Sequence, residues 1–500
     1  MSSSLEAQKT APLLDALQAC AHKPHAAFYA PGHKRGQGIP QPLASLLGSA
    51  VFRADLPELP ELDNLFAPEG AIQEAQELAA AAFGASQTWF LVNGSTVGIT
   101  AAILATCGSG DKIILPRNIH SSAIAGLILS GAIPVFVTPE YDPLLDLAHS
   151  ITPEAVSAAL KQHPDVKAVM MVYPTYYGVC GDIKAIADVT HQYHIPLLVD
   201  EAHAPHFAFH PGLPPSALSC GADVTVQSIH KLLGSMTQSA MLHLQGNRVD
   251  PKRIAKALQL LQSTSPSYLL LASLDAARQQ MALYGEKLMT QTLQLAEIAK
   301  REIRQIPGLS ILEPLPATST PGFFALDATR LTVTVSGLGL TGYEADEVLH
   351  QQLGVTAELP SLQHLTFIIS LGNTEADIEQ LIQALKTLAK EHRQEIQPLP
   401  ERKIGKIVSD GIFGDLPSIS PRDAFFAPTE TVTREQANHR ISAELICPYP
   451  PGIPILMPGE VITPTALDYL QQVIRFGGTI TGCSDRSLKT LRVVKNQSTI

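Results

Sequence analysis

Val224-Thr225-Val226-Gln227-Ser228-Ile229-His230-Lys231 is the stretch from which this chain is best read. Residues 224–226 form a short β-branched run suited to a pleated, buried surface, and a polar segment with a lysine follows at its carboxyl end. Upstream, Ile195-Pro196-Leu197-Leu198-Val199 is a second apolar run, ending in Asp200-Glu201-Ala202-His203. Runs at 112–115, 133–137 and 166–172 have the same character, and Ala/Leu-rich stretches of helical composition separate them. Strands alternating with helices predict βαβ units on a mostly parallel sheet, an α/β fold. Ligands of such sheets lie outside the carboxyl ends of the strands. Asp200 and Lys231 both fall there.

Working outward, residues 10–24 read as a short amphipathic helix on Leu13, Leu14 and Leu17, and 258–306 as mostly helical. A strand at 331–335, a helix at 342–353 and a strand at 365–370 predict a smaller α+β domain. Residues 391–405, charged and proline-containing, read as a linker, and the tail beyond has its own strand-and-turn pattern. No internal repeat stands out.

The chain has 500 residues, 45% of them hydrophobic, enough for a large core and several domains. A formal net charge of −11 argues against a nucleic-acid partner, which selects a basic surface. Its six cysteines show no Cys-x-x-Cys spacing, so neither a disulfide framework nor a metal site is expected. The opening Met1-Ser2-Ser3-Ser4-Leu5-Glu6 is not a secretory signal, and no apolar run approaches the ~18–20 residues that span a bilayer. The expectation is a soluble, cytoplasmic protein without a membrane partner.

A lysine and an acid at the ends of buried strands are what a pyridoxal phosphate site requires. The lysine condenses with the cofactor's aldehyde, and the acid keeps the pyridine nitrogen protonated. Lys231 and Asp200 are the candidates. Gly94-Ser95-Thr96 opens an apolar helical stretch and offers hydroxyls, backbone N–H groups and the positive helix end to a phosphate, although Ser and Thr also serve as ordinary N-caps. His120, just past the 112–115 strand, could stack on a planar ring or be a loop histidine. Ser228 and His230 alternate with Ile229, so both are expected to face the phosphate.

An apolar strand ending in Asp-Glu-Ala-His also resembles the Walker B segment of a helicase. That reading needs a Gly-x-x-x-x-Gly-Lys-Ser/Thr loop upstream. None is present, and Gly405-Lys406 lacks both the first glycine and the following hydroxyl.

The ordered set of segments resembles the Orn/Lys/Arg decarboxylase family of fold-type-I pyridoxal phosphate enzymes. It runs from Pro31-Gly32-His33-Lys34 through Pro68-Glu69-Gly70, Glu74-Ala75-Gln76, Asn93-Gly94-Ser95-Thr96 and Arg117-Asn118-Ile119-His120-Ser121. It continues with Pro174-Thr175-Tyr176-Tyr177-Gly178, Asp200-Glu201-Ala202-His203, Ser228-Ile229-His230-Lys231 and Thr264-Ser265-Pro266-Ser267-Tyr268. It closes on Pro448-Tyr449-Pro450-Pro451-Gly452 and Pro458-Gly459-Glu460. The resemblance implies a transferase-like large domain at 51–300 after an N-terminal arm at 1–50, a small α+β domain at 301–395 and a C-terminal domain at 396–500. It implies Lys231 as the cofactor lysine, Asp200 as the pyridinium partner and His120 on the ring, with Gly94, Ser95, Thr96, Ser228 and His230 around the phosphate. Thr264 and Ser265 match a segment that reaches the phosphate of a neighbouring subunit, which implies a homodimer or higher homo-oligomer with interface active sites. Large members carry a wing domain before the Pro-Gly-His segment. That segment starts at residue 31 here, so the chain reads as a short form.

The implied reaction is decarboxylation of a basic amino acid to its amine, in polyamine metabolism, with arginine favoured over lysine and ornithine. Lys231, His120 or His203 would return a proton to Cα. Glu444, or else Asp485, is the candidate acceptor for the substrate's distal cation. An aminotransferase or aldolase would share Lys231 and Asp200. An aminotransferase also needs a carboxylate-binding arginine, and Arg330 opens a strand without a recognisable motif for that role. A catalytically silent regulatory homologue would usually have lost Lys231 or Asp200, and both are present.

Overall fold

The computed structural model describes residues 2–314, 320–392, 418–449 and 452–495. Most of the expected linker, with Gly405-Lys406 and Pro450-Pro451, lies outside them. The chain divides into two compact units, each discontinuous in sequence: 1–105 with 198–290, and 106–197 with 291–500.

Seven strands make up the sheet portions of the two units: β1 (Gln87–Leu91), β2 (Lys112–Pro116), β3 (Ile133–Val137), β4 (Ala168–Val172), β5 (Leu197–Asp200), β6 (Val224–Gln227) and β7 (Ala240–Leu244). Their order is β1-β7-β6-β5 in the first unit and β4-β2-β3 in the second. In the first unit β6 runs parallel to β5, with Val226 opposite Asp200, whereas β7 is antiparallel to both β6 and β1. In the second unit β2 runs parallel to β3 and β4. The five strands expected from β-branched runs are all present, β3 as expected and the other four with one or both ends moved by one or two residues. β1 and β7 escaped that reading. Ala240-Met241-Leu242-His243-Leu244 contains no β-branched residue, and burial of every position between two neighbours makes it a strand.

The first unit also holds the N-terminal arm. The expected helix at 10–24 is Pro12–His22. Its first turn is capped by Asp275, whose carboxylate accepts from Leu13 N–H at 3.0 Å, while Asp275 pairs with Arg278. Arg278 donates in turn to the carbonyls of Gln8 (3.1 Å) and Thr10 (2.9 Å). The helical region expected at 258–306 is two helices, Pro251–Leu261 and Tyr268–Ile303. The intervening Gln262-Ser263-Thr264-Ser265-Pro266-Ser267 cannot bridge them, because Pro266 lacks an N–H and restricts Ser265 before it.

In the second unit β8 (Ser310–Ile311), β9 (Arg330–Thr334), β10 (Leu359–Pro360) and β11 (His364–Ile368) form an antiparallel sheet of order β8-β9-β11-β10. Helices Gly342–Gln352 and Glu375–Glu391, each started by a capping box, share its core through Leu349, Ile378 and Leu385. That is the expected α+β arrangement. The C-terminal part pairs β12 (Thr429–Thr433) with β15 (Thr490–Val494) and β13 (Cys447–Tyr449) with β14 (Thr479–Thr481). Helix Pro464–Arg475 packs on them through Leu467, Leu470 and Val473. Among the described residues no helix is long and apolar enough to cross a membrane.

Candidate active site

In the first unit three strand ends deliver the residues singled out from sequence. β1 leads through Val92 and Asn93 into helix Gly94–Thr106. Gly94 has φ +78°, a left-handed turn that favours glycine. Gly98 lets this helix ride directly on the sheet, since a Cβ there would lie 2.6 Å from Val226 Cγ1 and 2.7 Å from Leu91 Cδ1. The start of the helix is thereby fixed over β1 and β6. Ser228 Oγ donates to Ser95 Oγ at 2.8 Å, so two hydroxyls meet beside first-turn N–H groups that lack intrahelical acceptors. Thr96 is exposed next to them. This donor set fits a phosphate.

The loop after helix Pro251–Leu261 is tied to the same turn. Gln262 Oε1 accepts from Val92 N–H at 3.0 Å, and Asn93 Oδ1 accepts from Ser263 N–H at 3.1 Å. Thr264 and Ser265 follow as exposed residues.

Asp200 ends β5 and is buried, its Oδ1 accepting from Ala202 N–H at 3.2 Å. On the neighbouring strand the chain leaves β6 at Gln227 and enters a 3-10 turn, Ile229–Lys231. The turn corrects one expectation: the alternation of Ser228 and His230 belongs to an extended strand and does not apply. Ser228 reaches Ser95, whereas His230 Nδ1 donates to the Ser239 carbonyl at 2.9 Å. Lys231 Nζ lies 2.8 Å from His203 Nε2. With the lysine as donor, the imidazole proton sits on Nδ1. Asp200 and Lys231 thus stand at the carboxyl ends of adjacent parallel strands, with a histidine against the lysine. An acid, an amine and an anion cup together suit pyridoxal phosphate.

The second unit places His120 as the N-cap of helix Ser121–Ser130, Nδ1 accepting from Ser122 N–H at 3.2 Å. Its other nitrogen faces Gly452, where a Cβ would lie 3.4 Å from Nε2, and the Gly452 carbonyl accepts from Ser121 N–H at 3.2 Å. Arg117, buried, donates to the carbonyls of Pro454 (2.6 Å) and Ile455 (3.1 Å) and to Glu460 Oε2 (2.9 Å). Burial pushes the Glu460 carboxyl up, against the opposing pull of Arg117. Sequence reading quoted both residues in motifs but did not pair them. Two charged residues inside otherwise apolar or turn-forming segments were the available signal. Removing one partner of such a buried pair strands the other charge, so Glu460→Ala should cost about 3–5 kcal/mol of stability. Chemical denaturation of the purified protein would measure it, and an unchanged midpoint would refute the anchor.

Glu444 is buried, with Oε1 accepting from both Ser484 N–H and Ser484 Oγ at 2.6 Å and Oε2 accepting from Arg492 N–H at 2.8 Å. Asp485 accepts from Ser487 and Thr490, and these bonds hold its carboxyl far below the usual range. Both acids clamp the C-terminal fold. Arg330 is fully buried at the start of β9, 3.9 Å from Asp327 and packed over Gly178.

Comparison with known proteins gives the family and the fold. Residues 11–329 match the profile described as the Orn/Lys/Arg decarboxylase major domain, and 417–486 match its C-terminal domain. An arginine decarboxylase of Halalkalibacterium halodurans is 42% identical over 495 residues, 99% of each chain. One from Bacillus subtilis is 38% identical over the same shares. Among solved structures, lysine decarboxylase A from Pseudomonas aeruginosa superposes with a TM-score of 0.83 at 23% identity, covering 98% of this chain and 81% of that one. At that identity the likeness speaks for the fold.

Proposed function

The chain belongs to the Orn/Lys/Arg decarboxylase family, and we propose on that premise that it converts arginine to its amine and carbon dioxide with pyridoxal phosphate as resident cofactor. The observation that carries the reading is the placement of Asp200 and Lys231 on adjacent parallel strand ends, beside the Ser95–Ser228 hydroxyl pair. Arginine is favoured because relatives matched over 99% of both chains bear the name arginine decarboxylase.

Lys231 would hold the cofactor's aldehyde carbon, Asp200 its ring nitrogen, and the Gly94-Ser95-Thr96 helix start with Ser228 its phosphate. His120 is assigned to the ring face, and His230 to the phosphate surroundings, by family resemblance. When bound, the cofactor supplies an electron sink for the bond broken at Cα. Everything else falls to the protein. Asp200 keeps a carboxylate at a buried strand end, where pairing with a protonated nitrogen offsets the cost of its desolvation. Lys231 Nζ and His203 Nε2 share a hydrogen bond, so either can carry the proton that returns to Cα. The exposed Thr264 and Ser265 are available to a second copy of the chain, in keeping with a homodimer.

Purified protein supplied with arginine, lysine and ornithine in turn tests the proposal, with carbon dioxide release and amine identification as readouts. Arginine should give the highest kcat/KM. Preference for another basic amino acid would overturn the substrate, and keto-acid formation without carbon dioxide would overturn the reaction.

A further inference from the structure

Ser95, Asp200 and Lys231 are delivered by three strands of the first unit, and one buried chain of polar side chains crosses those strands. Successive residues of an extended strand point to opposite faces. Ser228 reaches Ser95, so Gln227 before it points the other way. There Gln227 Nε2 donates to Glu201 Oε2 at 2.8 Å, and Ala217 N–H donates to Glu201 Oε1 at 2.8 Å. Gln227 Oε1 accepts from His243 Nε2 at 3.1 Å, and His243 Nδ1 accepts from Thr88 Oγ1 at 2.8 Å. Phe83 stacks on the imidazole, the ring centroids 4.8 Å apart. All four polar residues are buried.

Their positions in the strands matter more than their number. Thr88 lies on β1, which runs on to Ser95. His243 lies on β7. Gln227 is the last residue of β6, directly before Ser228, and Glu201 directly follows Asp200 at the end of β5. The chain therefore ties the strand carrying the phosphate cup to those carrying the lysine and the acid.

A buried carboxyl whose partners are an amide and a backbone N–H is costly, and an apolar residue would serve the core better. Burial pushes Glu201 up to about 8 and His243 down to about 3. Near neutrality the acid is mostly protonated and the imidazole uncharged. A protonated Glu201 donates to Gln227 once that amide turns over. Gln227 then donates to His243 Nε2, and the ring proton moves to Nδ1, facing Thr88. The first direction is complete with a carboxylate and the second with the protonated acid, and glutamine at 201 would complete the second. Satisfied networks of this kind hold one geometry.

We propose that Glu201 is a positioning residue of the decarboxylation site, fixing through Gln227, His243 and Thr88 the spacing of the strand ends that present Asp200, Lys231 and Ser95. The inference rests on the reading of those three as the residues that hold the cofactor.

The test uses the full-length enzyme loaded with pyridoxal phosphate. Glu201→Ala should lower kcat about 10-fold or more, with KM within about twofold, because small misplacements of reacting groups cost rate rather than binding. The visible circular dichroism of the bound cofactor should change with it. Glu201→Gln should restore both, which a requirement for charge would not allow. Thr88→Val, at the far end of the chain, should shift both readouts in the same direction by a smaller amount.

A folded Glu201→Ala enzyme with parental kcat and dichroism would overturn the inference. So would a glutamine variant as impaired as the alanine one. If Glu201→Ala does not fold, Thr88→Val decides, and an unchanged kcat and dichroism there overturn it. A parent that neither binds the cofactor nor releases carbon dioxide would overturn the site assignment and this inference with it. That result is distinct from an active parent with an indifferent variant.

Discussion

Lys231→Ala should remove the visible absorbance of bound pyridoxal phosphate and lower kcat by about 10³-fold or more, since a proton carrier alone contributes about 10²–10⁴ and the covalent hold on the cofactor is lost as well. The substitution leaves the 3-10 turn Ile229–Lys231 and the strand before it without new strain, because alanine is tolerated in either conformation. His203 loses the partner at 2.8 Å and remains the nearby proton carrier. Added amines should restore part of the proton transfer, but not the absorbance of cofactor held on a side chain. Absorbance and kcat measured on one preparation are enough. A variant that keeps either at the parental level would remove Lys231 from the mechanism.

The second large effect is expected from Asp200→Ala. An opposite charge close to a titrating nitrogen shifts its pKa by about 1–3 units, which is about 1.4–4 kcal/mol. Loss of that stabilisation in the rate-determining step predicts a fall in kcat of about 10–10³-fold. Cofactor binding should persist, because Lys231 and the Ser95–Ser228 hydroxyl pair do not depend on the Asp200 side chain. The signature is therefore a protein that retains its absorbance and loses its turnover. Near-parental turnover would show that the carboxylate at the end of β5 does not face the ring nitrogen.

Much of this was legible before any coordinates. β-branched runs located β2 to β6, and the polar residues following β5 and β6 marked Asp200 and Lys231, because strand ends are where a parallel sheet exposes functional groups. What escaped depends on contacts distant in sequence. β7 is built from residues that would also suit a helix, and its neighbours make it a strand. His203 was read as a candidate proton donor, but its bond to Lys231 depends on how two loops turn after their strands. The alternation argument for His230 failed because the strand ends at Gln227 and a 3-10 turn begins at Ile229. Glu201 carries no role of its own in the Asp-Glu-Ala-His run, and only its bonds to Gln227 and Ala217 reveal one.

The Arg117–Glu460 pair has a consequence for biosynthesis. Its partners are 343 residues apart, so at ordinary translation rates Arg117 leaves the ribosome roughly 20–70 s before Glu460 is made. For that interval the carbonyls of Pro454 and Ile455 and the carboxylate of Glu460 that will receive the guanidinium at the end of β2 do not yet exist. Until its last hundred residues arrive, the nascent chain cannot give this corner its final set of bonds. A ribosome stalled in the interval would display an unfinished surface to quality control, and closure of the corner would report that synthesis has passed residue 460.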